Sequence, residues 1–343
     1  MILLSVRASH KNRPEMMCKQ RERFRTMAIW LAVAACGVIV SGALFLPLPA
    51  KGGGGYSVEC SYDPVQHRLT AAANSSQFLN LGLIRSGDEV VVLAGNTGEN
   101  PAYVPCEGDA PTVENVDRID FVSNVPVDVD LAGGAFAPGF TAEDDDSSEI
   151  EIYLGVSSAS ISGSPATESI ALGEEEGEMA ANLNRSEATR DLDLFLTDGV
   201  YLVVDGRGGQ DTLSADGGEE FDGPLGNAVP DVHIRYVTSI YGGNGADTLT
   251  STPWNSISNR EVANLNGQAG DDVIRGRRSA DAVVGGIGRD RLVGKGGDDD
   301  IDSRDIAGPR QRDEVKCGIG ADIARVDDLD KVASSCDRVP VED

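Results

Sequence analysis

Positive charge is scarce in this chain: 29 Lys and Arg stand against 56 Asp and Glu among 343 residues, a formal net charge of −27. A polyanion of this kind does not hold nucleic acid or anionic lipid through a general electrostatic field. Its acidic excess asks for a counter-charge, and a bound cation is the direct candidate. Aromatics make up only 5%, which leaves little surface for stacking on sugars. The three histidines are His10, His67 and His233, and none lies near a cysteine. There is no HExxH, no G-x-S-x-G, no CxxC and no EF-hand run, so zinc-protease, serine-hydrolase, zinc-site and EF-hand readings lack their residues. Forty-one glycines fall far short of the one in three that collagen needs. Outside the first fifty residues no window keeps apolar residues at i, i+3, i+4 and i+7, so helix is nearly excluded.

The little positive charge present is concentrated at one end. Residues 1–27 carry seven basic groups (Arg7, Lys11, Arg13, Lys19, Arg21, Arg23, Arg25) against Glu15 and Glu22, residues 28–50 carry none of either sign, and the rest holds −32. A basic leader followed by AIWLAVAACGVIVSGALFL (28–46) and LPLPA has the layout of a Sec-type signal sequence cleaved after Ala50. The 19-residue apolar run also reaches the minimum for a membrane span, so an uncleaved anchor through 28–46 stays open. VAAC (33–36), with Cys36 as a lipidated residue, is a third reading. All three export the bulk of the chain. Beyond the leader cysteines Cys18 and Cys36, the remaining four are Cys60, Cys106, Cys317 and Cys336. They permit three connectivities, and their placing, two near each end, favours Cys60–Cys106 and Cys317–Cys336 as local staples in an oxidising compartment.

After KGGGG (51–55) the chain reads as short alternating segments ending in Gly, Asn or Asp: DEVVVLAG (88–95), RIDFVSNV (118–125), VDVDLAGG (127–134), EIEIYLG (149–155), SASISG (158–163), LDLFLTDG (192–199), VYLVVDG (200–206) and VHIRYVTSIYGG (232–243). This is strand patterning with turn punctuation. EDDD (143–146) and EEE (174–176) read as solvated loops between strands.

A nine-residue period emerges further on. GGNGADTLT (242–250) places glycine at its first, second and fourth positions (Gly242, Gly243, Gly245), Asp247 at its sixth and an apolar residue at its eighth. Aligned on that aspartate, GRGGQDTLS (206–214) puts Asp211 in register. Four contiguous units follow: GQAGDDVIR (267–275, with Gly267, Gly270 and Asp272), GRRSADAVV (276–284, with Asp281), GGIGRDRLV (285–293, with Gly285, Gly286, Gly288 and Asp290) and GKGGDDDID (294–302, with Gly294, Gly297 and Asp299). The five-residue insertion SRDIA (303–307) precedes GPRQRDEVK (308–316, with Asp313) and CGIGADIAR (317–325, with Gly318, Gly320 and Asp322).

A strand of three residues sends one side chain to a core and its neighbours outward, and the six-residue turn needs positive φ, which glycine supplies. Two units make one 18-residue coil, so alternate units stack: Asp272 over Asp290, Asp281 over Asp299, and past the insertion Asp290 over Asp313 and Asp299 over Asp322. Turn carbonyls and carboxylates then face those of the next layer as an oxygen cage. Such hard donors in flexible geometry suit Ca²⁺ better than Mg²⁺, and carboxylates stacked at ~4.8 Å repel one another without a cation.

These units resemble the hemolysin-type calcium-binding repeats of the RTX family, strongly over 242–250 and 267–302 and more weakly over 206–214 and 308–325. The tail 313–339 is similar to the C-terminal cap of exported actinobacterial proteins of this kind, in which the last two cysteines close the final coil. The resemblance implies a right-handed parallel β-roll with Ca²⁺ between turns. Ser279 in place of the fourth glycine of GRRSAD, and the loss of all but the first glycine in GPRQRD, imply weakened or empty sites there. The Asp272/Asp290 and Asp299/Asp322 layers are the best matches.

The expected fold is therefore all-β: a right-handed parallel β-roll or β-helix solenoid with an N-terminal apolar signal or anchor segment. Its parts are the leader (1–50), a linker and small β cap (51–109), irregular β-helix rungs (110–205), the calcium-binding β-roll (206–325) and a C-terminal cap (326–343). A separate sandwich upstream would show the same alternation. The expected function is that of a secreted or cell-surface, non-enzymatic calcium-binding module with a structural or adhesive role, its cell-surface or matrix partner unidentified. The alternative is a Ca²⁺-dependent hydrolase or lyase acting on an extracellular polysaccharide through residues 56–200.

Overall fold

Alternation of apolar and polar residues buries one side chain in two along a strand, and each of the eight alternating segments named above contains one. In the computed structural model the described residues are 56–75, 79–96, 101–137, 139–141, 150–156, 158–175, 178–183, 192–196, 201–216, 238–251 and 263–340. The leader with its cysteines and the 28–46 run, the KGGGG hinge, the EDDD run and His233 lie outside them. Among the described residues the only helical element is one 3₁₀ turn, Leu131–Gly133, and no helix is long and apolar enough to cross a membrane.

Two sheets hold all the strands of the described residues. The first runs in the hydrogen-bonded order β1 (Tyr56–Asp63), β2 (Arg68–Ser75), β6 (Arg118–Ser123), β8 (Glu151–Gly155), β12 (Leu194–Leu196), β11 (Glu178–Asn182), β10 (Ser169–Glu175), β14 (Thr212–Ser214), β16 (Thr248–Thr250), β18 (Val273–Arg275), β20 (Arg291–Gly296), β22 (Glu314–Ile319) and β24 (Lys331–Val332). The second runs β25 (Asp337–Pro340), β23 (Ile323–Val326), β21 (Asp300–Asp302), β19 (Asp281–Ile287), β17 (Ala263–Ala269), β15 (Thr238–Asn244), β13 (Tyr201–Asp205), β9 (Ser158–Ser162), β7 (Val127–Asp130), β3 (Leu79–Ser86), β4 (Glu89–Asn96) and β5 (Ala102–Val104). From β13 onward the chain alternates between the sheets, and every pair on that stretch is parallel. That is the connectivity of a coil with two strands per turn.

Register follows the repeat. Leu213, Leu249, Ile274, Leu292 and Val315 align across successive strands of the first sheet, and Val283, Ile301 and Ala324 across the second. These are the eighth residues of their units, and all are at most 1% exposed. Each aliphatic one contributes about 1.5–3 kcal/mol of burial. The same core continues upstream through Ile119, Phe121, Ile152, Leu154, Leu194 and Leu196.

Departures from parallel pairing are local. β10, β11 and β12 form an antiparallel meander, so Glu174 and Glu175 lie in a strand rather than a loop. In backbone register Glu174 pairs with Met179 and Glu175 with Glu178, while Glu176 lies outside the described residues. At the amino-terminal end β1–β2 and β3–β4–β5 are antiparallel, and the Cys60–Cys106 disulfide ties β1 to the segment after β5. Cys317–Cys336 bonds the other end. Loops of 46 and 19 residues are each worth ~3–4 kcal/mol on the chain-entropy account.

Candidate metal centre

Each turn takes its shape from two positions. The second residue of a unit lies in the left-handed region, whether glycine (Gly243, Gly286, Gly318) or not (Arg207, Gln268 and Lys295, at φ of 63°, 71° and 74°). The fourth also has positive φ, from 109° to 157° at Gly209, Gly245, Gly270, Gly288, Gly297 and Gly320. Glycine is required at this fourth position twice over. Apart from the backbone angle, a Cβ there would come closer than 3.0 Å to the fourth-position carbonyl oxygen of the layer before. Six units carry both features: those beginning at residues 206, 242, 267, 285, 294 and 317.

The sixth-position aspartates form two ladders. On the edge where the chain passes from the second sheet to the first, Asp211, Asp247, Asp272, Asp290 and Asp313 succeed one another. The backbone N–H of each donates to Oδ1 of the next, at 2.7–2.9 Å, and the Asp313 N–H donates to Oδ1 of Asp330 at 3.1 Å. On the opposite edge the N–H of Asp281 donates to Asp299 and that of Asp299 to Asp322, at 2.9 and 3.0 Å. The spacing rule thus places Asp272, Asp281, Asp290 and Asp299 against Asp290, Asp299, Asp313 and Asp322 respectively.

In every ladder aspartate except Asp281, one carboxylate oxygen accepts a backbone N–H of the layer before and the other does not. Oδ2 of Asp211, Asp247, Asp272, Asp290, Asp299, Asp313 and Asp322 is buried without a hydrogen-bond partner, in side chains at most 2% exposed. Among the described residues no Lys or Arg pairs with any of the seven. Burial, reinforced by neighbouring carboxylates, pushes the Asp211, Asp272 and Asp299 carboxyls up to about 7 and Asp313 to about 8. Buried acceptors without a proton or a cation are costly.

The glycine at the first position shows where the free oxygens point. A Cβ on Gly206, Gly242, Gly267 or Gly294 would come closer than 3.0 Å both to Oδ2 of its own unit's aspartate and to the first-position carbonyl of the following layer. Those carbonyls belong to Gly242, Gly267, Gly285 and Cys317. Carboxylate and carbonyl oxygens therefore crowd one small space in each layer, with no hydrogen-bond donor to Oδ2. Among the described residues no three His, Cys, Asp or Glu side chains gather as a metal cluster, so the donor set is a carboxylate completed by backbone carbonyls. Hard, anionic and geometrically loose, it fits Ca²⁺.

Two units are different. In GRRSAD neither Arg277 nor Ser279 has positive φ. The Arg277 N–H donates to Oδ2 of Asp281 at 2.9 Å and the Ser251 hydroxyl donates to Oδ1 at 2.7 Å, so both Asp281 oxygens are occupied. The Arg277 guanidinium pairs with Asp216. In GPRQRD proline bars a left-handed second position. The three atoms nearest a Cβ on Gly285 all belong to Asp290, with no carbonyl of the following turn among them. Asp305, from the SRDIA insertion, instead accepts the N–H groups of Gly288 and Gln311. Ser251, Asp305 and Asp330 carry no nonapeptide signal; their part in the ladders comes from stacking alone.

Residues 239–251 and 266–301 match the family described as the RTX calcium-binding nonapeptide repeat, in four copies. These residues are RTX-type calcium-binding repeats. No curated protein and no solved structure matches it. The RTX turn geometry extends beyond the matched residues to the units at 206–214 and 317–325, which have the same two positive-φ positions and the same orphaned aspartate oxygen.

Proposed function

We propose that this chain is an exported, non-enzymatic protein whose RTX repeats are locked by calcium into a rigid structural or adhesive module. The observation that carries this reading is the row of seven buried aspartate oxygens without partners. Four layers bring two complete turns together: Asp211/Asp247, Asp247/Asp272 and Asp272/Asp290 on one edge and Asp299/Asp322 on the other. The ion's contribution is charge: it neutralises stacked carboxylates that would otherwise repel, and ties each turn to the next. Because the donors converge only in the folded coil, binding energy becomes folding energy. Affinities in the 10⁻⁴–10⁻³ M range of extracellular modules would leave the sites empty in a calcium-poor cytosol and filled outside.

Export is supported by the basic-then-apolar leader and by the two disulfides, which persist in oxidising compartments. The non-catalytic part of this reading rests on the sequence, which carries no HExxH and no G-x-S-x-G. The test is a calcium titration of the full chain by calorimetry with circular dichroism in parallel. Saturable uptake of about four ions with a gain of order is expected. Spectra identical in chelator and in excess calcium would overturn the reading.

A further inference from the structure

The first ladder does not begin at Asp211. Its Oδ1 accepts a backbone N–H at 2.8 Å, and the donor is Glu168. Counting back from there, GSPATESIA (163–171) places Gly163 at the first position of a nonapeptide, Glu168 at the sixth and Ile170 at the eighth. Ser164 and Ala166 stand at the second and fourth positions, which removes the glycine signature and hides the unit from any reading of the sequence.

The structure assigns to Gly163–Ala171 the role of a cryptic repeat unit, and we propose that Glu168 and Asp211 bind a further calcium ion between them. This rests on the calcium-binding reading of the ladder and extends it one layer toward the amino terminus.

Four observations place the unit in register. Ser169, Ile170 and Ala171 pair in parallel with Thr212, Leu213 and Ser214, so the apolar Ile170 occupies the core slot of the repeat. The Glu168 N–H donates to Asp211 as each later aspartate N–H donates to its successor. A Cβ on Gly163 would lie 2.6 Å from the Gly206 carbonyl oxygen and 3.0 Å from Glu168 Oε2, the same pair of atom types that crowd the first glycine of the complete units. Finally, the Ala166 carbonyl presses on Gly209 as the Gly209 carbonyl presses on Gly245.

The polar accounting points to a cation. Glu168 Oε1 accepts the Ser164 hydroxyl, while Oε2 is buried with no partner, and so is Asp211 Oδ2. The nearby Arg207 guanidinium is engaged in a bidentate pair with Asp130 at 2.9 and 3.1 Å and leaves both carboxylates unneutralised. The glycines are replaced by a different device: Pro165 limits the turn, and the Ser164 hydroxyl accepts the Ala166 N–H at 2.9 Å. This turn is stiff without positive φ. Glutamate, one methylene longer than aspartate, reaches inward from it.

The experiment is a calcium stoichiometry on the full chain by equilibrium dialysis, with amide hydrogen exchange of 163–171 as a second readout. E168Q, nearly isosteric, is expected to bind one ion fewer than the wild type, while D299N, on the opposite edge, loses a different ion. In the wild type, protection of 163–171 is expected to rise on adding calcium, and this decides the matter if E168Q folds poorly. Equal stoichiometry in E168Q and wild type, or calcium-independent protection of 163–171 in the wild type, overturns the inference while leaving the other layers intact. A wild-type chain that binds no calcium would defeat the proposed function itself.

Discussion

Strands β6 and β8 are six and five residues long and each sets two large apolar side chains into the core, Ile119 with Phe121 and Ile152 with Leu154. Strands β14, β16, β18 and β21 are three residues long and set one. The upstream rungs thus bury roughly twice the hydrocarbon per strand, and their turns are free to vary in length and sequence. In the repeats the core is thin, the turns are uniform, and each turn adds a buried carboxylate that opposes folding until it is neutralised. On the proposed reading the difference teaches where the stability of each part resides: upstream in apolar burial, downstream in the ion.

The strongest way to break this comparison is to remove calcium. Chelation is expected to abolish amide protection across 206–325 while leaving 56–162 protected, because each layer forfeits about 1.4 kcal/mol at an ion concentration tenfold above Kd. Hydrogen-exchange mass spectrometry in chelator and in millimolar calcium checks this, and uniform loss along the chain would contradict it. Next in size is Asp272→Asn. Asp272 is shared by two layers, so calcium uptake should fall by up to two ions, or the affinity by about ten- to hundredfold if the amide still coordinates, read by calorimetry.

A smaller effect is expected from pH, with opposite signs in the two states. In the calcium-free chain, burial holds the Asp211, Asp272, Asp281, Asp290, Asp299 and Asp313 carboxyls near 6–8, above their ordinary value of 3.8. The folded state then binds protons more tightly than the unfolded one. Its stability is fully present below pH ~4 and declines as pH rises through the folded values to about 8. With calcium the ion competes with those protons, so affinity rises over the same range and binding near pH 7 releases protons. Melting curves in chelator at pH 5 and pH 8, with calorimetry in buffers of different ionisation heat, test both halves. The smallest effect belongs to Asp281→Asn. Both Asp281 oxygens already hold hydrogen bonds, so stoichiometry should be unchanged and the titration midpoint should shift by less than about twofold.

What is legible in the sequence follows the same division. The nine-residue register was legible because a three-residue strand tolerates only one apolar slot, and the aspartates fall in line even where 36 residues separate Asp211 from Asp247. The weakness of GRRSAD was legible too, since Ser279 and the two arginines replace the groups that open the turn. Glu168 was not, because it enters the ladder through a proline- and serine-built turn with no glycine beyond the first. Nor was the β10–β11–β12 meander: alternation reports which residues face the core but not the direction in which a strand runs.

The ladder also has a polarity. In every layer the amide hydrogen belongs to the earlier aspartate and the accepting oxygen to the later one. The residue after each aspartate returns the bond: the N–H groups of Thr248, Val273, Arg291, Glu314 and Ile323 donate back to the carbonyls of Asp211, Asp247, Asp272, Asp290 and Asp299. Trimming coils from either end therefore strands buried donors, which structures rarely tolerate, and each end of the stack carries a disulfide.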